Sequence, residues 1–231
     1  MRGYKGRGQR LLDDYKAEIH LHTRVSDGAM TPEEAVKIAR NRGLTAIAVT
    51  DHDTFRGSSL AERISRILGG PMIIHGNEVR TDLGDVLVYC DSPHPGNPTR
   101  LEELRDWADE RNCLMVAAHP FHPVRSSIGL KILGKYRFFD AIEVWNARGP
   151  PCLNTPAIIL AHKRGIPGTS GSDAHVHREL GTTPIVLPEE PTGVDDILEW
   201  IRKGRVRPTY RPVRLTAIPY ILAWSIKRRS L

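Results

Sequence analysis

A chain of 231 residues, 40% of them hydrophobic, is long enough for one large α/β domain or two small ones, which excludes a disordered chain. No run of eighteen apolar residues occurs, and the first ten residues are basic and glycine-rich, which argues against a transmembrane helix and a secretory signal. The cysteines, Cys90, Cys113 and Cys152, show no CxxC spacing. This spacing predicts unpaired core cysteines in a cytoplasmic protein, with neither a disulfide framework nor a thiolate zinc site.

The net charge of +6 is unevenly distributed along the chain. Residues 1–16 hold five Lys/Arg against two Asp/Glu, and residues 202–231 hold nine against none, so the body between them is acidic. An acidic body suits a cation site, whereas basic tails suit nucleic acid or a membrane surface; solvated tails are the alternative. We predict a basic extension over 1–16, one domain over 17–204 and a basic, apolar extension over 205–231. This last segment is expected to pack on the domain, and the alternative is that it lies against a partner or a membrane interface.

In the first half of the chain we predict, in order, a strand, a helix, a second strand, a second helix and a hairpin. AEIHLHT (17–23) reads as a strand, and the next segment as a helix that starts with Thr31 as N-cap and Pro32 in the first turn. LTAIAVT (44–50) is nearly all apolar, which is typical of a strand covered on both faces. A helix over Ser58–Leu68 and a hairpin of PMIIHGNEV and GDVLVYC follow.

The second half continues the alternation of strands and helices. We predict strands at 113–120, 141–146, 166–171 and 182–187, and helices at 98–112, 154–165 (capped by Asn154 or Thr155) and 194–203, with a helix and loop over 126–139. Alternating strands and helices predict parallel βαβ units in one sheet or barrel. The fold class is therefore α/β.

Polar side chains end each predicted strand. They are His20, His22, Asp27, Asp51, His52, Asp53, Glu78, His119, Asn146, Asp173 and His175. The carboxyl ends of parallel strands share one face, so we expect five histidines and three carboxylates to meet in one cleft. Each alone could be a buried structural histidine or a helix cap. Together they predict a metal site.

The expected ligands are His, Asp and Glu without Cys, a set that suits Zn, Mn or Fe(II). Eight ligands exceed the needs of one ion, so we expect two or three divalent ions with Glu78 bridging. Clustered ions acidify a bound water and stabilise charge on transferring oxygens. The set therefore predicts hydrolysis of a phosphoester by a metal-bound hydroxide, and no GxSxG or Cys/His pair suggests a covalent nucleophile.

Five motifs carry a family resemblance. HLHTRVSDG, TDHDT, GNEV, AHP and GSDAH, in this order, resemble the PHP (polymerase and histidinol phosphatase) superfamily of metal-dependent phosphoesterases over 17–201. The resemblance implies a distorted seven-stranded (β/α)7 TIM-like barrel. It also implies a first ion at His20, His22, Glu78 and Asp173, the catalytic centre, a second at Glu78 and His119, and a third at Asp27, His52 and His175. Asn146 stands where many relatives have His or Cys, which implies a loosely held second ion.

The resemblance is strongest to stand-alone nucleotide phosphoesterases and 5′–3′ exoribonucleases. We expect Arg125, Arg148 and Arg24 to bind phosphate, because guanidinium groups match phosphate oxygens. His122 is a proton donor, a group that supports a neighbouring metal ligand, or a surface residue. The predicted substrate is a phosphorylated small molecule or nucleotide. The alternatives are an exonuclease that holds RNA or single-stranded DNA with the basic tails, and a non-catalytic metal-binding partner or RNA-binding subunit.

Overall fold

The computed structural model describes residues 15–123 and 126–228. Most of the predicted N-terminal extension and Arg125 therefore lie outside the described residues. The strands are β1 (Lys16–Glu18), β2 (Ala46–Val49), β3 (Met72–Arg80), β4 (Asp85–Cys90), β5 (Leu114–Ala117), β6 (Ala141–Asn146), β7 (Gly168–Gly171) and β8 (Ile185–Val186). The helices are α1 (Pro32–Asn41), α2 (Arg56–Leu68), α3 (Leu101–Glu110), α4 (Ile132–Lys135), α5 (Pro151–Arg164), α6 (Val194–Arg202) and α7 (Ile218–Arg228).

The eight strands form one sheet in the order β7-β6-β5-β4-β3-β2-β1-β8. Neighbours are parallel except for β4, which is antiparallel to β3 and β5, and β8, which is antiparallel to β1. Leu21, beyond β1, pairs in parallel with Ala174, beyond β7, and this bridge links the β7 edge of the sheet to β1, the strand next to the other edge. The sheet is thus a nearly closed barrel, which confirms the distorted TIM-like fold, with the short β8 as an eighth strand.

The core consists of apolar layers on both faces of the sheet. In β4, Val86, Val88 and Cys90 pack in the layer that includes α3 and α5, whereas Leu87 and Tyr89 face the layer that includes α6. This alternation is the period of two expected of a strand buried on both faces. Because the parallel strands run in the same direction, their carboxyl ends lie together at one mouth of the barrel.

Local sequence signals set some helix boundaries and not others. α1 begins as predicted, with a capping box between Thr31 and Glu34 and a proline in the first turn. The predicted cap of α5 is wrong, because α5 begins at Pro151 and carries Pro156 within it. The Asn154 side chain instead accepts from the Asn146 amide (3.0 Å) and donates to the Asn146 carbonyl (3.1 Å). It fixes the end of β6.

The prediction of three unpaired core cysteines is wrong. Cys90, at the end of β4, and Cys113, just before β5, form a disulfide, while Cys152 is free and exposed. The pairing escaped the sequence analysis because only the antiparallel register of β4 and β5 brings these two positions together. The cytoplasmic location stays a prediction, and no helix in the described part of the chain is long and apolar enough to cross a membrane.

We expect loss of the disulfide to lower the free energy of unfolding by about 3 kcal/mol, because it closes a loop with a sequence separation of 23. Guanidinium denaturation of Cys90→Ser/Cys113→Ser should show this loss, with Cys152→Ser as the control. Equal stability of the double variant and the control would contradict a disulfide in the folded protein.

Candidate metal centre

Glu78 lies at the centre of the site, at the end of β3. Its Oε2 lies 3.0 Å from His22 Nε2, 3.5 Å from His20 Nε2 and 3.4 Å from His52 Nδ1. Its Oε1 lies 3.0 Å from His119 Nε2. One carboxylate therefore faces four imidazoles that come from three different segments of the chain, after β1, β2 and β5.

Two further carboxylates complete the cluster. Asp173 Oδ1 lies 3.5 Å from His22 Nε2, 3.8 Å from His20 Nε2 and 3.3 Å from His175 Nδ1. Asp27 Oδ1 lies 3.2 Å from His175 Nε2 and 3.5 Å from His22 Nδ1. The structure thus brings all eight predicted metal ligands together: His20, His22, Asp27, His52, Glu78, His119, Asp173 and His175.

The unsatisfied nitrogens at this centre fit a bound cation. His20 Nε2, His22 Nε2 and His52 Nδ1 are buried and have no hydrogen-bond partner within the described residues. A buried polar atom left unpaired costs about 1–3 kcal/mol. These nitrogens lie 3.0–3.5 Å from Glu78 Oε2, and imidazole with carboxylate is a donor set for Zn, Mn or Fe.

Electrostatics at the centre show how strongly the site is charged. Burial lowers the pKa of His20, but Glu143 and Glu78 outweigh it and raise the pKa to about 10. Burial raises the pKa of Asp27, but the hydrogen bond from His175 and the neighbouring imidazoles hold it well below its usual range. Asp27 thus stays ionised, as a metal ligand must, and a cation would displace the proton from His20.

The backbone around the centre adopts uncommon conformations. Asp53, His119 and Asp173 have φ values of 57°, 26° and 49°, and such non-glycine residues concentrate at functional sites. A Cβ at Gly171 would lie 2.5 Å from His20 Cβ, and one at Gly28 would lie 2.2 Å from the His22 carbonyl oxygen. The glycines of the SDG and GSD motifs therefore leave room for the two histidines.

Glu143, in the middle of β6, is a site residue that the sequence analysis missed. It is 1% exposed; its Oε1 lies 2.8 Å from His20 Nδ1, and its Oε2 accepts from the His119 amide at 2.7 Å. A carboxylate behind a ligating histidine fixes the ring and its tautomer. The sequence signal that could have identified Glu143 is a charged residue in the middle of a largely apolar strand.

We expect Glu143→Gln to weaken metal binding about 10–100-fold, because the neutral amide holds the His20 ring less firmly. Equilibrium dialysis of the chelated protein with Mn²⁺ would measure the change. Glu102→Gln, on a surface glutamate paired with Lys135, is the control. Identical affinities in the two variants would remove the supporting role of Glu143.

Asn146 also supports the site. Its amide nitrogen donates to Glu143 Oε2 and to Asp173 Oδ2, both at 3.1 Å, and its Oδ1 accepts from the Arg148 amide. The side chain therefore orients two carboxylates. The loosely held second ion, inferred from the amide as a weak ligand, stays a prediction.

Other buried carboxylates brace the loops that carry the ligands. Asp51 accepts from the Thr23 amide (2.7 Å) and the Ser26 hydroxyl (2.6 Å). Glu18 accepts from the Ser172 amide (2.9 Å), and burial raises its pKa to about 7. Buried carboxylates thus accept hydrogen bonds from the loop after β1 and from the loop after β7 and hold both in place. Asp85, at the start of antiparallel β4, also reaches the site, with Oδ2 4.0 Å from His119 Nε2.

Six of the eight predicted metal ligands line a pocket of about 270 Å³, and the arginines differ in their position relative to it. Arg148 lines this pocket; its Nε lies 3.0 Å from Glu179 Oε1 and its Nη1 2.8 Å from His175 Nδ1. Arg24 is exposed, its Nε donates to the Ala29 carbonyl, and it does not line this pocket. Its predicted phosphate contact receives no support from the geometry. Arg80 and Arg228, which the sequence analysis missed, line the pocket instead.

Family models match both halves of the chain. The model described as "PHP domain" matches residues 18–138, and the one described as "PHP-associated" matches residues 151–206. The chain belongs to the PHP family. This membership confirms the resemblance carried by the five motifs and makes the protein a phosphoester hydrolase with a site able to bind metals.

Relatives of the PHP protein are divergent. An uncharacterized protein of Methanocaldococcus jannaschii is 29% identical over 57% of this chain and 82% of its own length. A 3′,5′-nucleoside bisphosphate phosphatase of Chromobacterium violaceum is 32% identical over 41% of this chain, and the match spans 34% of that relative. A two-domain protein of Bacteroides vulgatus with a PHP-like metal-dependent phosphoesterase superposes with a TM-score of 0.71 at 20% identity, over 85% of this chain and 64% of that one.

Proposed function

We propose that this PHP protein hydrolyses a phosphomonoester of a nucleotide with two or three divalent ions. The observation that carries the proposal is the convergence of eight ligand-type side chains at one pocket, which six of them line together with three arginines. Manganese, zinc and iron all suit the donor set. The similarity to a nucleoside bisphosphate phosphatase over 41% of the chain supports a nucleotide substrate.

We assign different roles in the reaction to different residues. His20, His22, Glu78 and Asp173 would hold the catalytic ion, Glu78 and His119 the second, and Asp27, His52 and His175 the third. Bound divalent ions supply a Lewis acid and bring the pKa of a water molecule close to neutrality. Arg148, positioned by Glu179, would bind a phosphate oxygen, because a guanidinium neutralises the charge that develops during phosphoryl transfer.

We expect rigorous chelation to abolish hydrolysis and Mn²⁺ to restore it. A screen of the Mn²⁺-loaded protein should include nucleoside monophosphates, 3′,5′-bisphosphates and a short 5′-phosphorylated RNA, with the chelated protein as control. Turnover that survives chelation would contradict the metal-dependent scheme. Metal binding without turnover on any phosphoester would favour a non-catalytic metal-binding module. The exonuclease alternative stays a prediction that the RNA in the screen tests.

A further inference from the structure

The C-terminal helix α7 lies against the loops of the metal centre, although none of its eleven residues is buried. Leu222 is 59% exposed. Polar and aromatic contacts position the helix: the Trp224 indole donates to the Asp27 carbonyl at 2.9 Å, and the Tyr220 ring lies 4.9 Å from the His177 ring. Both contacted loops carry predicted metal ligands. The position of α7 is therefore set by the active site and not by burial in the core.

The last described residue of α7 extends into the metal pocket. Arg228 contacts the Asp27 carboxylate and lines the pocket together with Arg80 and Arg148. Three guanidinium groups at the rim of one pocket favour an anionic ligand with several oxygens, such as a phosphate. A cation bound at Asp27 would compete with Arg228 for this carboxylate, which frees the guanidinium for a substrate oxygen.

An apolar cleft of about 550 Å³ adjoins the metal pocket. Its lining includes Ile218, Ile221 and Leu222 of α7 and also His122. Arg148 and Arg228 line both cavities, which places the cleft beside the phosphate-binding end of the pocket. The cleft thus offers aliphatic walls and the His122 imidazole, whose ring lies 6.5 Å from the His119 ring, and its volume suits a small ligand.

We propose that this cleft binds the organic part of the substrate, and that the substrate is a small phosphomonoester with a flat, largely apolar group such as a nucleobase. This inference rests on the proposed function and deepens it. α7 then has two roles: its aliphatic face contacts the base, and Arg228 contacts the phosphate. The cleft favours a mononucleotide over an equivalent sugar phosphate.

Adenosine 5′-phosphate and ribose 5-phosphate test the proposal, because they share the ester and differ by the base. For the Mn²⁺-loaded protein we expect kcat/KM about tenfold higher for the nucleotide, because the base removes apolar surface of the cleft from water. Leu222→Asp should bring the ratio close to one. Leu215→Asp, which adds the same charge at a residue 81% exposed and outside the cleft, should keep the wild-type ratio. Arg228→Gln should raise KM for both substrates and change kcat less.

Equilibrium binding separates this inference from the proposed function. Calorimetry of both compounds with the full-length protein should show tighter binding of the nucleotide, and Leu222→Asp should remove the difference. Equal binding or equal kcat/KM of the two compounds in the wild type would overturn the cleft assignment while leaving phosphoesterase activity intact. If the screen described above finds no phosphoester that is hydrolysed, the proposed function fails, whereas the binding of these two compounds still decides the cleft assignment. Faster turnover of a 5′-phosphorylated oligonucleotide, unaffected by Leu222→Asp, would also overturn the assignment.

Discussion

Asp173→Asn is expected to lower kcat/KM about 1000-fold while the protein stays folded, because loss of a ligand to a catalytic ion removes several kcal/mol of transition-state stabilisation. Asp173 Oδ1 faces nitrogens of His20, His22 and His175. Asparagine keeps the side-chain volume and tolerates the positive φ of 49°. The substitution therefore removes the negative charge with little backbone strain. Steady-state kinetics with Mn²⁺ and thermal unfolding would measure the two effects separately.

The matched control for this substitution is Asn112→Asp. Asn112 also has a positive φ, 52°, lies after α3, and accepts from Arg202 at 3.4 Å. This variant exchanges Asn and Asp at a residue with a similar positive φ but away from the metal centre. Its activity should equal that of the wild type. If Asp173→Asn retained activity within a factor of about three, Asp173 would not be a ligand of a catalytic ion.

The convergence of the ligands could be predicted from sequence because strand direction determines where strand ends lie. His20 and His22 follow β1, His52 follows β2, and Glu78 lies near the end of β3. Parallel strands place these residues at one mouth of the barrel without any knowledge of the loops. The antiparallel hairpin of β3 and β4 does not disturb this, since β4 begins at the same mouth.

The supporting residues could not be predicted because their roles depend on contacts between distant segments. Glu143 contacts His20, which lies 123 residues away in the sequence, and Glu18 accepts from Ser172. Their sequence context is only a charged residue within an apolar strand. The disulfide depends in the same way on the register of two antiparallel strands. Arg228 reaches the pocket only because α7 folds back over the loop that contains Asp27.

Glu78→Gln is expected to have a larger effect than Asp173→Asn, with a loss of activity of about 10,000-fold, because Glu78 is the carboxylate shared by the proposed ions. The two Glu78 oxygens lie 3.0–3.5 Å from nitrogens of four imidazoles. Burial raises the pKa of Glu78, but His20 and the other histidines lower it well below its usual range. A neutral amide at this position leaves the imidazoles without the central negative charge that allows several cations to bind together.

Metal content and metal-induced stabilisation would test this expectation independently of turnover. Ligand binding to the folded state raises its stability, and the gain grows with the logarithm of the ligand concentration divided by Kd. We therefore expect Mn²⁺ to raise Tm of the chelated wild type but not of Glu78→Gln. Glu62→Gln, at a glutamate of α2 that pairs with Arg66, should respond like the wild type. An undiminished Mn²⁺ content and Tm shift in Glu78→Gln would mean that the ions bind without a shared carboxylate, and the site would then consist of separate single-ion sites.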